Sequence, residues 1–387
     1  MSSARAQGAD AVISGEWLHR FETQAVLKML TDAGHRAYLV GGCVRNALLG
    51  AAVSDIDMST DALPETVVRL AEAAGFKPIP TGIEHGTVTV IAGGIPHEIT
   101  TFRRDIATDG RSAKVAFSSQ ILDDAQRRDF TMNALYAEAS GTVLDPLGDG
   151  LRDLAARRVR FVGDAQTRIR EDYLRILRFF RFTAWYGEDL DEDGLAACAA
   201  HADGMVRLSR ERIGNEMRKL LAAPDPLPAI CSMQAAGVLA QVLAGADPRA
   251  LGPLIHLAPK ADWVTRLAAL GGEDVANALR LSKAEAKRVS LLREAATGTA
   301  GPRELGYRLG AAAASDAMAL RAALFEMPLG DLEEIAAEIT IGAAARFPIK
   351  PEDLMPDYTG PALGARLKEL EARWIASGFT FTRTDLL

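Results

Sequence analysis

Apolar and polar positions divide this chain into two unlike stretches. Over the first 32 residues Trp17, Leu18, Phe21, Val26, Leu27 and Leu30 fall broadly at helical spacing, which predicts an amphipathic helical start. From Tyr38 to about Tyr136 short apolar runs alternate with helical ones. Strands are expected at 37–40, 56–59, 86–91 and 97–101. In the third, Thr87-Val88-Thr89-Val90 alternates β-branched residues, and Gly93-Gly94 offers a hairpin turn into the fourth. A helix is expected from Pro64 to about Ala74, stopped by Gly75. Residues 103–120 are polar and weakly periodic, which reads as a mobile loop. Beyond Leu151 strand signals nearly vanish, and helical segments follow one another between Gly163, Gly187, Pro224-Asp225-Pro226, Pro253 and Gly301-Pro302. The expected fold class is α+β, a small mixed-sheet head followed by an all-helical remainder.

Composition narrows this picture without redirecting it. At 387 residues the chain exceeds one ordinary core, and two to three domains are expected. It is 48% hydrophobic and 25% charged, as globular proteins are. The first twenty residues contain Asp10 and Glu16 and no apolar run, so no signal peptide is expected. The apolar stretch near 230–243 is short and carries Gln234 and Gln241, so no membrane span is expected. Cys43, Cys198 and Cys231 lie too far apart for a zinc motif or a disulfide framework, and read as reduced thiols in a cytoplasmic protein. The net charge of −7 argues weakly against a polyanion partner, yet between Leu151 and Phe182 nine arginines face four acidic residues.

Four blocks carry chemistry. In YLVGGCVRNALLGAAVSDIDM (Tyr38 to Met58), a Gly41-Gly42 turn follows a strand, and a second strand brings Asp55 and Asp57. Carboxylates two apart on a strand share a face. Beside a glycine turn able to approach phosphates they suit Mg²⁺ and a nucleoside triphosphate. A pair of ions there activates an attacking hydroxyl and stabilises leaving pyrophosphate; the bland alternative is a solvated turn. Glu98, on the 97–101 strand, is a candidate third carboxylate ligand or an edge residue facing water. Arg45, in the first turn after Gly42, suits a triphosphate contact or a surface ion pair. In RRDFTMNAL, Arg128, Asp129 and Asn133, the last two one helical turn apart, suit phosphate and ribose; the alternative is a helix start capped by Asp129. In EDYLRILRFFRF, helical spacing places Asp172 and Arg175 on one face, with Arg178 and Arg181 continuing the row. Either this is a salt-bridged helix face, or Asp172 accepts from the amino group of C or A while Arg175 donates to the adjacent ring nitrogen. U lacks that amino group and G presents a ring N–H there, so both would leave a buried polar group unpaired.

Taken in order, GGCVRN, LLG, DIDMST, GIEHGTVTV, HEITTFR, RRDFTMNAL, LDPLGDGLRDL, EDYLRILRFFRF and ERIGNEMRKLL resemble the class II CCA-adding tRNA nucleotidyltransferases, of the bacterial CCA-adding enzyme and poly(A) polymerase family. The resemblance covers about residues 38–221. It implies a nucleotidyltransferase head (1–150) with Asp55 and Asp57 on Mg²⁺, and a helical neck (151–221) in which Asp172 and Arg175 select CTP and then ATP. It also implies a helical body and tail (222–387) holding the tRNA 3′ end and acceptor arm. Gly42, Arg45, Arg128, Arg178 and Arg181 match positions that contact the nucleotide, and the segment from Glu211 to Leu221 matches one that supports the neck. No obligate protein partner is implied. One departure stands out: the family usually has Asp after Arg45, and here it is Asn46, which can still accept a hydrogen bond. The sparse histidines beyond His201 do not suit the phosphohydrolase domain of some relatives. A poly(A) polymerase or an A-adding partial enzyme of the same family remains the nearest alternative, with an inactive RNA-binding protein more distant. The full 103–120 segment favours the complete enzyme or an A-adder over one that adds only CC, and the non-basic C-terminus speaks against a poly(A) polymerase.

Overall fold

The computed structural model of the protein describes residues 11–108, 113–328 and 331–387. The fold is α+β, with every described strand in the first of two units, which divide between Val242 and Leu243. The principal sheet has seven strands in the order β3-β4-β5-β2-β1-β8-β9. These are β1 (Ala37–Val40), β2 (Ile56–Thr60), β3 (Lys77–Gly82), β4 (Thr87–Ala92), β5 (Ile95–Thr101), β8 (Tyr136–Ala137) and β9 (Val143–Leu144). All neighbours run antiparallel except β2 and β5, which are parallel and place Asp57 directly opposite Glu98. Between Ala92 and Ile95 the chain turns through Gly93 and Gly94, both at positive φ, which only glycine adopts freely.

Each strand shows a different face to each side. The helix Phe21–Asp32 buries Thr23, Val26, Leu27 and Leu30, and Thr23 Oγ1 lies 3.2 Å from Nε2 of buried His97. His97 and Glu98 point to opposite faces, so the helix covers the side away from Asp57. Phe21, expected on the apolar stripe, is instead 80% exposed. The helix Pro64–Ala73 ends as expected, with Gly75 at positive φ and the Phe76 N–H donating back to Ala71.

Several elements depart from the expected pattern. β3 reads as a loop because Pro78 and Pro80 cannot donate to a ladder; it is tolerated at the sheet edge. β8 and β9 have two residues each, too few for a periodic signal. Most of the expected loop 103–120 forms a separate antiparallel ribbon, β6 (Arg103–Thr108) with β7 (Ala113–Phe117). Its Asp109-Gly110 pair, a hairpin signal in sequence, lies outside the described residues. Pro253 does not end a helix but occupies the first turn of Leu251–Leu257, where its missing N–H costs nothing.

Residues 127–133 are not a helix start, and Asp129 is not its cap. The helix Ile121–Gln126 stops, Phe130 makes an extended bridge to Phe161, and a single 3₁₀ turn spans Thr131–Asn133. The reason is the core: Phe130 packs against Phe161, Phe179 and Phe182 with centroids 5.0 to 6.4 Å apart, which pulls the segment out of helical geometry. The two phenylalanines of that cluster at 179 and 182 lie on the helix Leu174–Tyr186, so the same rings that straighten residue 130 fix this helix against the bridged segments at Phe130 and Phe161.

The second unit is helical. Its longer helices are Lys283–Thr297, Ala311–Phe325, Leu332–Ala344 and Gly360–Ala376, the first begun by a Ser282/Glu285 capping box. The helices Pro302–Leu309 and Leu332–Ala344 cross at glycine. A Cβ on Gly306 would stand 2.2 Å from the Ile339 carbonyl oxygen, and one on Gly342 1.9 Å from that of Arg303. Ile349, Leu354, Leu370, Trp374 and Leu386 form its terminal core. Among the described residues no helix is long and apolar enough to cross a membrane.

Candidate active site

β1 delivers the chain into Gly41, whose φ of +70° is strained for any residue with a Cβ. The Gly41 carbonyl then accepts from the Arg45 N–H as the helix Gly42–Leu48 begins. Two arginines bracket this turn. A Cβ on Gly41 would lie 3.2 Å from Arg128 Nη1, and one on Gly42 would lie 3.9 Å from Arg45 Nη2. Buried Cys43 joins the turn to the acidic strand, its Sγ donating to the Val40 carbonyl at 3.3 Å and lying 3.7 Å from that of Asp57.

Asp57 is on β2, half-buried, and Asp55 is exposed one residue before the strand starts. Burial, then the charges of Glu98 and Asp55, push the Asp57 carboxyl up to about 6, against the opposing pull of Arg128 and Arg45. Glu98 therefore faces Asp57 across the parallel ladder. Among the described residues no three His, Cys, Asp or Glu side chains gather closely enough to hold a metal ion by themselves. The oxygen donors and the mutual repulsion at Asp57 nonetheless fit a hard divalent cation completed by phosphate oxygens.

Arg128 is fixed by Asp124 at 3.0 Å, by the Tyr136 hydroxyl at 3.1 Å and by Ser59 at 3.4 Å. Arg45 is only 6% exposed. Its Nε and Nη2 both donate to Asn46 Oδ1, at 3.2 and 2.9 Å, so Asn46 accepts two bonds where one was expected. Nη1 donates to Asn133 Oδ1, and Nη2 also to the Tyr186 hydroxyl at 2.9 Å.

From Asn133 a polar chain leads onward. Its Nδ2 donates to Asp129 Oδ1 at 3.0 Å, and Asp129 Oδ2 accepts from Arg178 Nε at 2.7 Å. Burial would raise the Asp129 carboxyl, but Arg178 and the Asn133 bond overcome it and hold it at about 2. Arg181 donates to Glu216 at 2.6 Å, and Phe182 lies under the guanidinium groups of Arg178 and Arg181 at 5.2 and 4.3 Å. Asp129 and Asn133 thus meet, although not through a helical turn.

Asp172 is not on the helix that carries Arg175, Arg178 and Arg181. The chain breaks between Ala165–Glu171 and Leu174–Tyr186, and Asp172 Oδ1 accepts from the Leu174 N–H at 3.1 Å. Asp-Tyr before an apolar run is a helix boundary, so the 100° arithmetic does not extend to residue 172. Asp172 Oδ2 pairs with Arg212 at 2.6 Å. Arg175 pairs with Glu171 and donates to the carbonyls of Arg168 and Arg127 at 2.8 and 3.1 Å.

Family models for the "Poly A polymerase head domain" and the "Probable RNA and SrmB- binding site of polymerase A" match residues 37–160 and 189–249. The CCA-adding enzyme of Streptococcus gordonii is 35% identical over 372 residues, 90% of this chain and 92% of that protein. The chain belongs to the CCA-adding enzyme family. The Geobacillus kaustophilus CCA-adding enzyme is 41% identical over 217 residues, 56% of this chain. This chain spans about half the length of that relative (52%) and of several others like it. The crystal structure of the Bacillus stearothermophilus CCA-adding enzyme in complex with CTP is similar at a TM-score of 0.75 and 29% identity, over 92% of both chains. That of the Thermotoga maritima CCA-adding enzyme complexed with tRNA, at 19% identity and a TM-score of 0.70, shares the fold.

Within this family frame the structure also points to residues that sequence reasoning passed over. Glu216, 5% exposed, holds Arg181 and lies 4.0 Å from Arg178. Asp124 anchors Arg128, Glu171 pairs with Arg175, Arg212 pairs with Asp172, and Tyr186 meets Arg45. Glu216 and Arg212 had a signal as members of the ERIGNEMRKLL motif, and Glu171 as the first residue of EDYLRILRFFRF. Asp124 and Tyr186 sit in unremarkable helical text, and only the fold brings them in.

Proposed function

We propose that this protein adds CCA to the 3′ end of tRNA, using CTP and ATP without a nucleic-acid template and releasing pyrophosphate. The observation that carries this reading is the glycine turn bracketed by Arg45 and Arg128 beside the Asp55/Asp57 edge, in a chain of this family. The terminal ribose hydroxyl attacks the α-phosphate, and the bond to pyrophosphate breaks. Asp55 and Asp57, with Glu98 as a third candidate, would hold Mg²⁺, two ions in the full reading. When bound, the metal lowers the hydroxyl's pKa and neutralises the leaving group. Gly41 and Gly42 let the triphosphate approach the backbone, and Arg45 and Arg128 supply positive charge beneath it. Asp129 and Asn133 hold the arginines of head and neck in one polar chain.

Base choice falls to Asp172 and Arg175, with Arg178 and Arg181 beside them. In this reading Asp172 exchanges Arg212 for the amino group of C or A, and Arg175 turns from Glu171 to the ring nitrogen. U and G cannot complete that exchange. We assign residues 1–150 as the catalytic head, 151–221 as the neck, and 222–387 as the body and tail that receive the tRNA acceptor arm. A cytoplasmic setting accords with a tRNA substrate and with three free cysteines. The experiment offers tRNA ending before CCA, after C and after CC, with each labelled nucleotide in turn. Addition of C, C and A in order is expected. A-only addition, or a growing A tail, would replace this reading with that of a partial enzyme or a poly(A) polymerase; no incorporation would leave an RNA-binding protein.

A further inference from the structure

The arginines around the site are held in two different ways. Arg128, Arg175, Arg178 and Arg181 each have a carboxylate within 4.0 Å, from Asp124, Glu171, Asp129 and Glu216. Arg45 is buried with neutral direct partners, Asp129 standing one hydrogen bond further off behind Asn133, and no described carboxylate lies within ion-pair distance of it. Of its five N–H donors, four are taken by Asn46, Asn133 and Tyr186, all uncharged. Its guanidinium carbon stands 4.0 Å from the Tyr186 ring centroid and 5.1 Å from that of Phe182. Tyr186 and Phe182 are four apart on one helix and so share a face. A carboxylate at position 46 would hold Arg45 through charge as well as hydrogen bonds; with Asn46 there, orientation falls to neutral hydrogen bonds and to the Tyr186 ring. These groups keep Arg45 at the underside of Gly42.

We infer that Tyr186 is a positioning residue for nucleotide binding: with Asn46 holding Arg45 through hydrogen bonds alone, the Tyr186 hydroxyl and ring orient Arg45 so that it serves the triphosphate. The inference rests on the reading of Arg45 as a triphosphate contact. Tyr186 acts through Arg45 on phosphate, so its effect falls on CTP and ATP alike and leaves base choice alone.

The test measures KM and kcat for CTP and for ATP, with melting temperature, in the full-length chain carrying Tyr186→Phe, Tyr186→Leu, Asn46→Asp, Asn46→Asp with Tyr186→Leu, or Arg45→Ala. Tyr186→Phe keeps the ring and loses one hydrogen bond, and KM for both nucleotides should rise about fivefold at nearly constant kcat. Tyr186→Leu should raise it severalfold more. Asn46→Asp in the Leu background should return KM to within about twofold of wild type, a rescue that a merely structural role for Tyr186 would not produce. The inference is overturned if KM is unmoved in both Tyr186 variants, or if Asn46→Asp gives no rescue in a chain that melts as wild type does. Should Tyr186→Leu fail to fold, the Phe variant decides alone. An unchanged KM in Arg45→Ala would sink the triphosphate reading itself; a raised KM there with silent Tyr186 variants would sink only this inference.

Discussion

Asp57 and Asp129 are both carboxyls drawn out of water, and their neighbours send them in opposite directions. Asp57 faces Glu98 and Asp55 and is pushed up to about 6, whereas Asp129 is held down at about 2 by Arg178 and Asn133. An ordinary unfolded Asp titrates near 3.9. Asp129 therefore contributes stability that is fully present above about pH 4 and is lost as pH falls toward 2, on the order of 2 kcal/mol. Asp129→Asn should flatten that part of the unfolding free-energy profile while leaving Arg178 with only the more distant Glu216 as a charged partner, and the protein less stable at neutral pH. Denaturant titrations from pH 2 to 7 would show it, and an unchanged slope would refute it. For Asp57→Asn, incorporation of both nucleotides should fall at least a thousandfold while tRNA retention on a filter persists; turnover near wild type would end its assignment to the metal. Much at this scale was legible in the chain. Asp55, Asp57, Arg45 and Arg128 stand in short ordered motifs, and the structure sets both arginines at the Gly41-Gly42 turn and Asp57 opposite Glu98. Partners such as Asp124 and Tyr186 were not legible, because nothing in a helical string says which distant arginine it will meet.

At the scale of elements, the pattern served where one face is buried and failed where packing overrode it. β1, β2, β4 and β5 alternate or run apolar because they lie inside the sheet. β3, with two prolines, survives only as an edge, and the 127–133 segment is straightened by Phe130 entering an aromatic cluster. The break before Leu174 separates Asp172 from the arginine helix, so the pair proposed to read the base combines a helix boundary with a helix face. The helix crossing at Gly306 and Gly342 had no sequence signal beyond two glycines inside helices. Gly342→Ala places a methyl against the Arg303 carbonyl, and overpacking of this kind costs about 1–3 kcal/mol. Calorimetry should show a lowered melting temperature with KM for CTP unchanged, since the crossing belongs to the second unit. An undisturbed melt would mean that the two helices part without cost.

For the molecule as a whole, the seven-stranded sheet and the helix Leu174–Tyr186 form one unit ending at Val242. The division of labour proposed here then makes a prediction about fragments. A chain ending at Val242 should bind CTP and ATP about as well as the full protein, measured by titration calorimetry, but hold tRNA at least tenfold more weakly. A chain ending at residue 150 should bind nucleotide poorly, because Arg45 and Asp129 lose Tyr186 and Arg178. Equal nucleotide affinity in both fragments would contradict the polar chain from head to neck.

The bond between Arg45 and Tyr186 spans 141 positions. A polypeptide leaves the ribosome amino end first, at roughly 5–20 residues per second. The strands bearing Asp57 and Glu98 can therefore pair many seconds before the cation opposite them is anchored. Over that interval Arg128 can already be held by Asp124 and Tyr136, but Arg45 has only Asn46 and Asn133 and lacks the ring and hydroxyl that complete its seat. On the proposed reading, a half-made chain would hold nucleotide badly, and so stays idle until its own synthesis has passed Tyr186.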